Sequence, residues 1–195
     1  MSKDLLDLRP ENVLEPAQGR LLVSEPFLSD PYFRRTVILL CTHDDQGAFG
    51  LVLNRSIEVD LDDLLPGHSL AGARVGIGGP VQTDVLYFLH TIGKHLAGSV
   101  PVFDDVHLGG DMDQLQDLVK ADPGLLRHVR FFIGYSGWSA GQLERELGER
   151  SWLVAHATTR QVMARDDEDV WRETLRGMGG RFAPLANFPE DPRSN

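Results

Sequence analysis

Apolar and polar positions along this chain follow two kinds of pattern. Short apolar runs rich in β-formers dominate the first half. Leu21-Leu22-Val23-Ser24 predicts a short strand, Thr36 to Cys41 a strand covered on both faces, and Phe49 to Asn54 another. The turn residues Asp44-Asp45-Gln46-Gly47 make the last two a hairpin near the sheet centre. Val85 to His90, Arg130 to Gly134 and Trp152 to His156 read as further strands. A short acidic helix over 60–66 stops at Pro66. Helical spacing rules 111–120, where Met112, Leu115, Leu118 and Val119 share a face, and Asp122-Pro123-Gly124 ends it. It returns over 139–148 and over about 167–176, the last with Val170, Trp171 and Leu175 inward and Gly177 as its stop.

Strands and helices alternate most clearly after residue 110. The expectation is an α/β (or α+β) chain: a single compact domain with a mixed β-sheet flanked by helices. Its boundaries are an N-terminal arm over 1–18, ordered only where it docks, the domain over 19–180, and a tail over 181–195.

Composition narrows the function classes. The chain has 195 residues, 42% of them hydrophobic and 25% charged, which supports a packed core and excludes a disordered chain. Lys+Arg number 19 against 29 Asp+Glu, a net charge of -10. That balance repels a polyanion unless a basic patch compensates, and only Arg34-Arg35 and the pair Arg127 and Arg130 cluster, so direct DNA binding is disfavoured. The single cysteine, Cys41, permits no internal disulfide, and Met1-Ser2-Lys3-Asp4 lacks a signal-peptide pattern; a cytoplasmic protein is expected. The run Val37 to Cys41 is far short of the ~18 apolar residues of a membrane span.

The chemically richest stretch is Phe131 to Glu144. Ser139 with Gln142 three residues on reads as a capping box, and Trp138 with Leu143 as a hydrophobic staple. The same residues fit a second reading, in which Gly134 and Gly137 let backbone approach a ligand and Tyr135 and Trp138 form an aromatic wall. A serine nucleophile at Ser136 fails the G-x-S-x-G test, because Gly137 comes one place early, and no aspartate lies between Ser136 and His156. Gly76-Ile77-Gly78-Gly79 lacks the third glycine of a dinucleotide motif, and no phosphate-binding loop occurs. His43, His90, His95 and His107 lack zinc-ligand spacing, and Cys41 reads as a buried, inert thiol. The segment after 111–120 leaves no room for a recognition helix. No cofactor, metal or catalytic constellation is expected.

Four blocks in order carry a resemblance: Gly19-Arg20-Leu21-Leu22-Val23-Ser24 with Pro26, Asp30 and Phe33; His43 with Gly47 to Arg55; Gly78-Gly79-Pro80-Val81 with Leu89-His90; and Gly134 to Trp138 with Gln142-Leu143-Glu144. Over about 19–178 the chain resembles the AlgH/YqgE family of small bacterial proteins. The resemblance implies a cytosolic, mixed α/β protein without a defined biochemical activity; some members are labelled transcriptional regulators. It supplies no catalytic residue. The chain departs from the family's common pattern at Ser136, often alanine, and at Ser56, often proline.

If the predicted strand ends converge, Asn54, Arg55, Gly78, Gly79, Pro80, His90, Tyr135, Gly137 and Trp138 form one surface suited to a small anionic or planar ligand. The competing expectation is that Asn54 and Arg55 satisfy loop carbonyls while the glycines make turns. The leading functional expectation is a non-enzymatic regulatory protein that binds a small ligand or a protein partner. Direct DNA binding by a transcriptional regulator, and hydrolysis by Ser136, are the alternatives.

Overall fold

The hairpin expected around Asp45 lies at the heart of the sheet, with β2 (Val37–Asp44) and β3 (Gly47–Val52) joined by a two-residue turn. The computed structural model describes residues 11–57, 59, 61–64, 70, 72–73, 75–164 and 169–189. Around the hairpin run β1 (Arg20–Ser24), β4 (Ser56–Ile57), β5 (Val75–Ile77), β6 (Val81–His90), β7 (Val100–Phe103), β8 (Val106–Leu108), β9 (Val129–Ser139) and β10 (Trp152–His156). Along the main path the order is β10-β1-β2-β3-β9-β6-β8-β7, every pair antiparallel. The short β5 lies parallel to β9 and carries β4, which makes the sheet mixed, as expected. The helices are α1 (Leu61–Leu64), α2 (Met112–Ala121), α3 (Gln142–Gly148), α4 (Thr159–Met163) and α5 (Val170–Met178).

Three apolar clusters follow from which face each strand residue takes. On one face Leu21, Val23, Leu39, Leu51 and Phe132 pack beneath Trp171 and Leu175 of α5. Opposite them, Leu22, Ile38, Leu40, Trp138 and Trp152 pack on Leu143 of α3. A third cluster, with Val75, Phe88 and Phe131, lies beneath Leu115 and Val119 of α2. Asp111 caps α2 by accepting the Gln114 amide at 2.9 Å.

Alternation along β9 is broken once, at Gly134, whose φ is +67°. Because of that irregularity Phe132 and Tyr135 face the same cluster although three residues apart, and Trp138 then takes the opposite face.

Several boundaries move. The strand expected to end at Gly134 runs on to Ser139, so α3 starts at Gln142 with Gly141 (φ +71°) as its N-cap, not Ser139. Half of the expected box is present: the Ser139 amide and hydroxyl both donate to Gln142 Oε1, at 3.0 and 3.2 Å. α5 runs through Gly177 and stops at Gly179, where φ is +66°. A full capping box instead begins α4, where Thr158 and Gln161 satisfy each other's amides. The β7–β8 hairpin, unrecognised in the sequence, is built on Val100-Pro101-Val102-Phe103 and Val106-His107-Leu108 around an Asp104-Asp105 turn. The Pro66 stop expected for the acidic helix lies outside the described residues, as do 1–10 of the arm. From Glu11 onward the arm docks.

Candidate functional site

The glycine motifs mark a crossing of two backbones. β5 lies on one side of β9 and β6 on the other, and only Gly78-Gly79-Pro80 connects them. The link therefore passes directly over β9 at Gly134 and Tyr135. A Cβ on Gly78 would lie 2.3 Å from the Gly134 carbonyl oxygen, one on Gly79 2.1 Å from the Tyr135 carbonyl carbon, and one on Gly134 2.5 Å from the Gly79 oxygen. Hydrogen bonds hold the crossing: the Gly78 amide donates to Ile133 O at 2.8 Å, and Gly78 O accepts the Val52 amide at 2.9 Å. The fully buried Ser136 donates its hydroxyl to that same oxygen at 3.1 Å. Pro80 is exposed where the link leaves the crossing.

Asn54 and Arg55 also serve the backbone. Asn54 Oδ1 accepts the Val37 amide and its Nδ2 donates to Arg35 O, both at 2.8 Å, which clamps the start of β2 to the end of β3. Arg55 Nη2 donates to Arg34 O at 3.0 Å from an exposed position. These contacts match the loop-carbonyl expectation.

Tyr135 and Trp138 do not form one wall. Trp138 is buried beside α3, and its indole donates to Glu146 Oε2 at 2.9 Å. Trp152 donates to the same oxygen at 2.8 Å, its ring edge-on to Trp138 at 6.0 Å, while Gln142 holds Glu146 Oε1 at 2.9 Å. Tyr135, on the other face, stacks on Phe49 at 4.8 Å and meets Tyr87 edge-on at 5.8 Å. The three rings are half-buried, and the exposed Gly137 leaves room for the Tyr135 ring, whose Cε2 would lie 2.8 Å from a Cβ there. Tyr87 donates to Gln82 Oε1 at 2.9 Å; burial, then the nearby Tyr135 and Asp84, push its phenol above the usual tyrosine range.

His90 lies on β6 beyond this cluster and is inaccessible to solvent. Its Nδ1 accepts the Ile92 amide at 3.2 Å, which leaves the proton on Nε2, 2.9 Å from Gly109 O. Burial lowers its pKa; the Gly109 bond opposes that shift, and His107, stacked at 5.5 Å, adds to it. His43 joins Glu144 at 2.8 Å, and the Glu144 carboxyl is held below its ordinary range first by its own backbone amide and then by His43. Cys41 is fully buried, and burial drives its thiol pKa far upward, so no thiolate forms. Among the described residues no three His, Cys, Asp or Glu side chains group as a metal site, and no helix is long and apolar enough to cross a membrane.

Two features escaped the sequence reading. Arg130 bridges α4 to the end of β3, donating to Val162 O at 2.6 Å and Leu53 O at 2.8 Å with its guanidinium over Phe132. In the sequence Arg130 stands out only as one of a basic pair with Arg127 at the head of an apolar strand. The second is a cleft of about 1130 Å³ along β10, walled by Val13 and Leu14 of the arm on one side and by α4 and α5 on the other. Among the described residues β10 is the last strand at its end of the sheet, and Asn12 pairs with its outer edge: Nδ2 donates to Trp152 O at 2.9 Å and Oδ1 accepts the Val154 amide at 2.7 Å. Of β10, the buried Val154 and Ala155 and the exposed His156 contribute to the cleft lining.

Comparison with known proteins agrees with this architecture. A crystal structure of a Corynebacterium diphtheriae protein superimposes with a TM-score of 0.79 over 96% of this chain and 100% of that one, at 24% identity, a likeness of fold. The solution structure of the AlgH protein from Pseudomonas aeruginosa matches with a TM-score of 0.70 at 26% identity, over 90% of this chain and 98% of that one. A UPF0301 protein from Cytophaga hutchinsonii is 40% identical over 179 residues, covering 91% of this chain and 98% of the relative. Another, from Bacteroides thetaiotaomicron, is 34% identical over 100% of this chain and 99% of its own length. The family model described as AlgH-like matches residues 21–183. With the crossing glycines and both faces of β9 inside that span, the chain belongs to the AlgH-like family.

Proposed function

We propose that this chain is a non-enzymatic regulatory protein that takes a protein partner into the cleft beside β10. The observation that carries the reading is the contrast in how polar groups are used. In the matched blocks Asn54, Ser136 and His90 are bonded to the chain's own backbone. Along the cleft, the exposed His156 and the charged side chains of Arg160 and Glu173 line a space large enough for several residues of another chain. The buried Ser136 weighs against hydrolysis, and the acidic charge against a direct DNA reader.

A photo-crosslinking amino acid at Gly177, where a side chain meets open space on the cleft wall, tests this in cells. The expected result is a discrete adduct that is absent when the same group replaces the exposed Val100 on β7, the far edge of the sheet. Equal labelling at both positions, or none at Gly177, defeats the reading.

One observation favours a second reading, a small planar ligand at the half-exposed rings of Phe49, Tyr87 and Tyr135. Thermal stabilisation by nucleotides or anionic metabolites that disappears in Tyr135→Ala supports it; stabilisation that survives the substitution removes it.

A further inference from the structure

Where β1 stops and β2 begins, the fold assembles a patch whose charge opposes that of the whole chain. Arg34, Arg35 and Arg55 meet there: Arg55 Nη2 donates to Arg34 O at 3.0 Å, and Asn54 Nδ2 holds Arg35 O at 2.8 Å. In the sequence only the first two are neighbours. Arg35 serves the fold, its guanidinium over Trp171 and its Nη2 donating to Phe188 O at 2.6 Å. Arg34 and Arg55 face outward. Both are exposed, neither has a carboxylate partner among the described residues, and Arg55 spends one of its five N–H groups on a carbonyl. The acids of the same loop are turned to its backbone: the buried Glu25 accepts the Phe27 amide at 2.9 Å, and Asp30 the Tyr32 amide at 2.8 Å.

Three aromatic rings share this end of the molecule. Phe27, Tyr32 and Phe188 are 43%, 45% and 36% exposed, and Phe27 meets Phe188 edge-on at 5.1 Å. The loop that carries the arginines is fixed from both sides: Thr36 donates its hydroxyl to Phe33 O at 2.8 Å and its amide to Ser24 Oγ at 3.0 Å. Within it Arg35 is held left-handed, at φ +55°, a conformation that long side chains rarely adopt and that persists only where the surroundings impose it.

We infer that this patch binds an acidic, extended segment of a protein partner, with carboxylates on Arg34 and Arg55 and an apolar side chain against Phe27 and Phe188. Charge complementarity selects that occupant, because a guanidinium pairs with a carboxylate through a fixed fork of donors, and a loop already fixed in place lowers the cost of binding. A nucleic-acid strand carries a phosphate at every nucleotide and, past the two arginines, meets a chain of net charge -10. A short acidic segment stays within the patch. The inference stands apart from the cleft beside β10, and either can fail without the other.

Fluorescence polarisation with the full chain tests it using labelled probes: the acetylated peptide Asp-Glu-Phe-Asp-Glu-Phe, its counterpart with lysine at every acidic position, and an oligothymidylate with four phosphates. The acidic peptide is expected to bind at least about tenfold more tightly than either of the others. Arg34→Glu combined with Arg55→Glu should weaken it at least about tenfold. Lys120→Glu combined with Arg176→Glu, which changes the net charge equally at exposed positions elsewhere, should leave it within about twofold. Equal losses in the two double variants overturn the inference, since net charge alone then accounts for binding. So do equal binding of the lysine peptide, tighter binding of the oligothymidylate, or no binding of the acidic peptide at millimolar concentration. Should the double variant at Arg34 and Arg55 melt abnormally, Arg34→Gln decides, because the fold does not use that side chain: unchanged affinity overturns the patch.

Discussion

The crossing of Gly78-Gly79-Pro80 over β9 and the cleft beside β10 are built in opposite ways. At the crossing, donors and acceptors are matched within the chain, and the packing leaves no space for a methyl group at Gly78, Gly79 or Gly134. Beside β10, where Asn12 bonds Trp152 and Val154, a cleft of about 1130 Å³ opens. The lesson concerns where to look for function: conspicuous glycine motifs here serve the fold, while the accessible surface is built from residues with no motif at all.

The comparison breaks first if the crossing tolerates side chains. Gly79→Val places carbon within bonding-like distance of the Tyr135 backbone and should cost more than about 4 kcal/mol, read as loss of the cooperative urea transition. Asn54→Ala, which unpairs the Val37 amide and the Arg35 carbonyl, should lower the unfolding free energy by about 2 kcal/mol in the same titration. On the cleft side, Asn12→Ala, which unpairs the Trp152 carbonyl and the Val154 amide, should cost about 1 kcal/mol in the same titration. Gly177→Ala, on a helix wall with open space, should stabilise by about 0.5–1 kcal/mol, the reverse of Gly79.

The smallest expected effect is a pH dependence from His90. Its folded pKa lies below the unfolded value, so the unfolded chain binds the proton first and stability falls as pH drops below about 6.5. His90→Gln should flatten that part of a melting-temperature profile; an unchanged slope assigns it to other groups.

Much of the fold was legible. The apolar runs at 21–24, 36–41 and 152–156, the Asp-Gln turn and the amphipathic spacing of 111–120 are local signals with local causes, and the structure carries them. What escaped was non-local. Continuing β9 to Ser139 depends on pairing Gly47 with Ser139 and Gly50 with Ser136, partners about ninety residues away, and that pairing overrides the capping signal at Ser139. The site fared in the same manner. Tyr135 and Trp138, three residues apart, share a face in a helix and take opposite faces in a strand, and the answer came from β9 running past both. That β10 is an edge depends on strand order, which no segment of sequence states by itself.

Strand order also dictates when this protein can assemble. β5 and β6 leave the ribosome joined by three residues, spread apart by the width of a strand that has not yet been made. β9 follows some forty residues later and must enter between them, under the link, before either has its main partner. A chain cut between β6 and β9 would own no complete centre in either piece, and folding should wait for the second half of synthesis, with slow, long-range closure as its rate-limiting event.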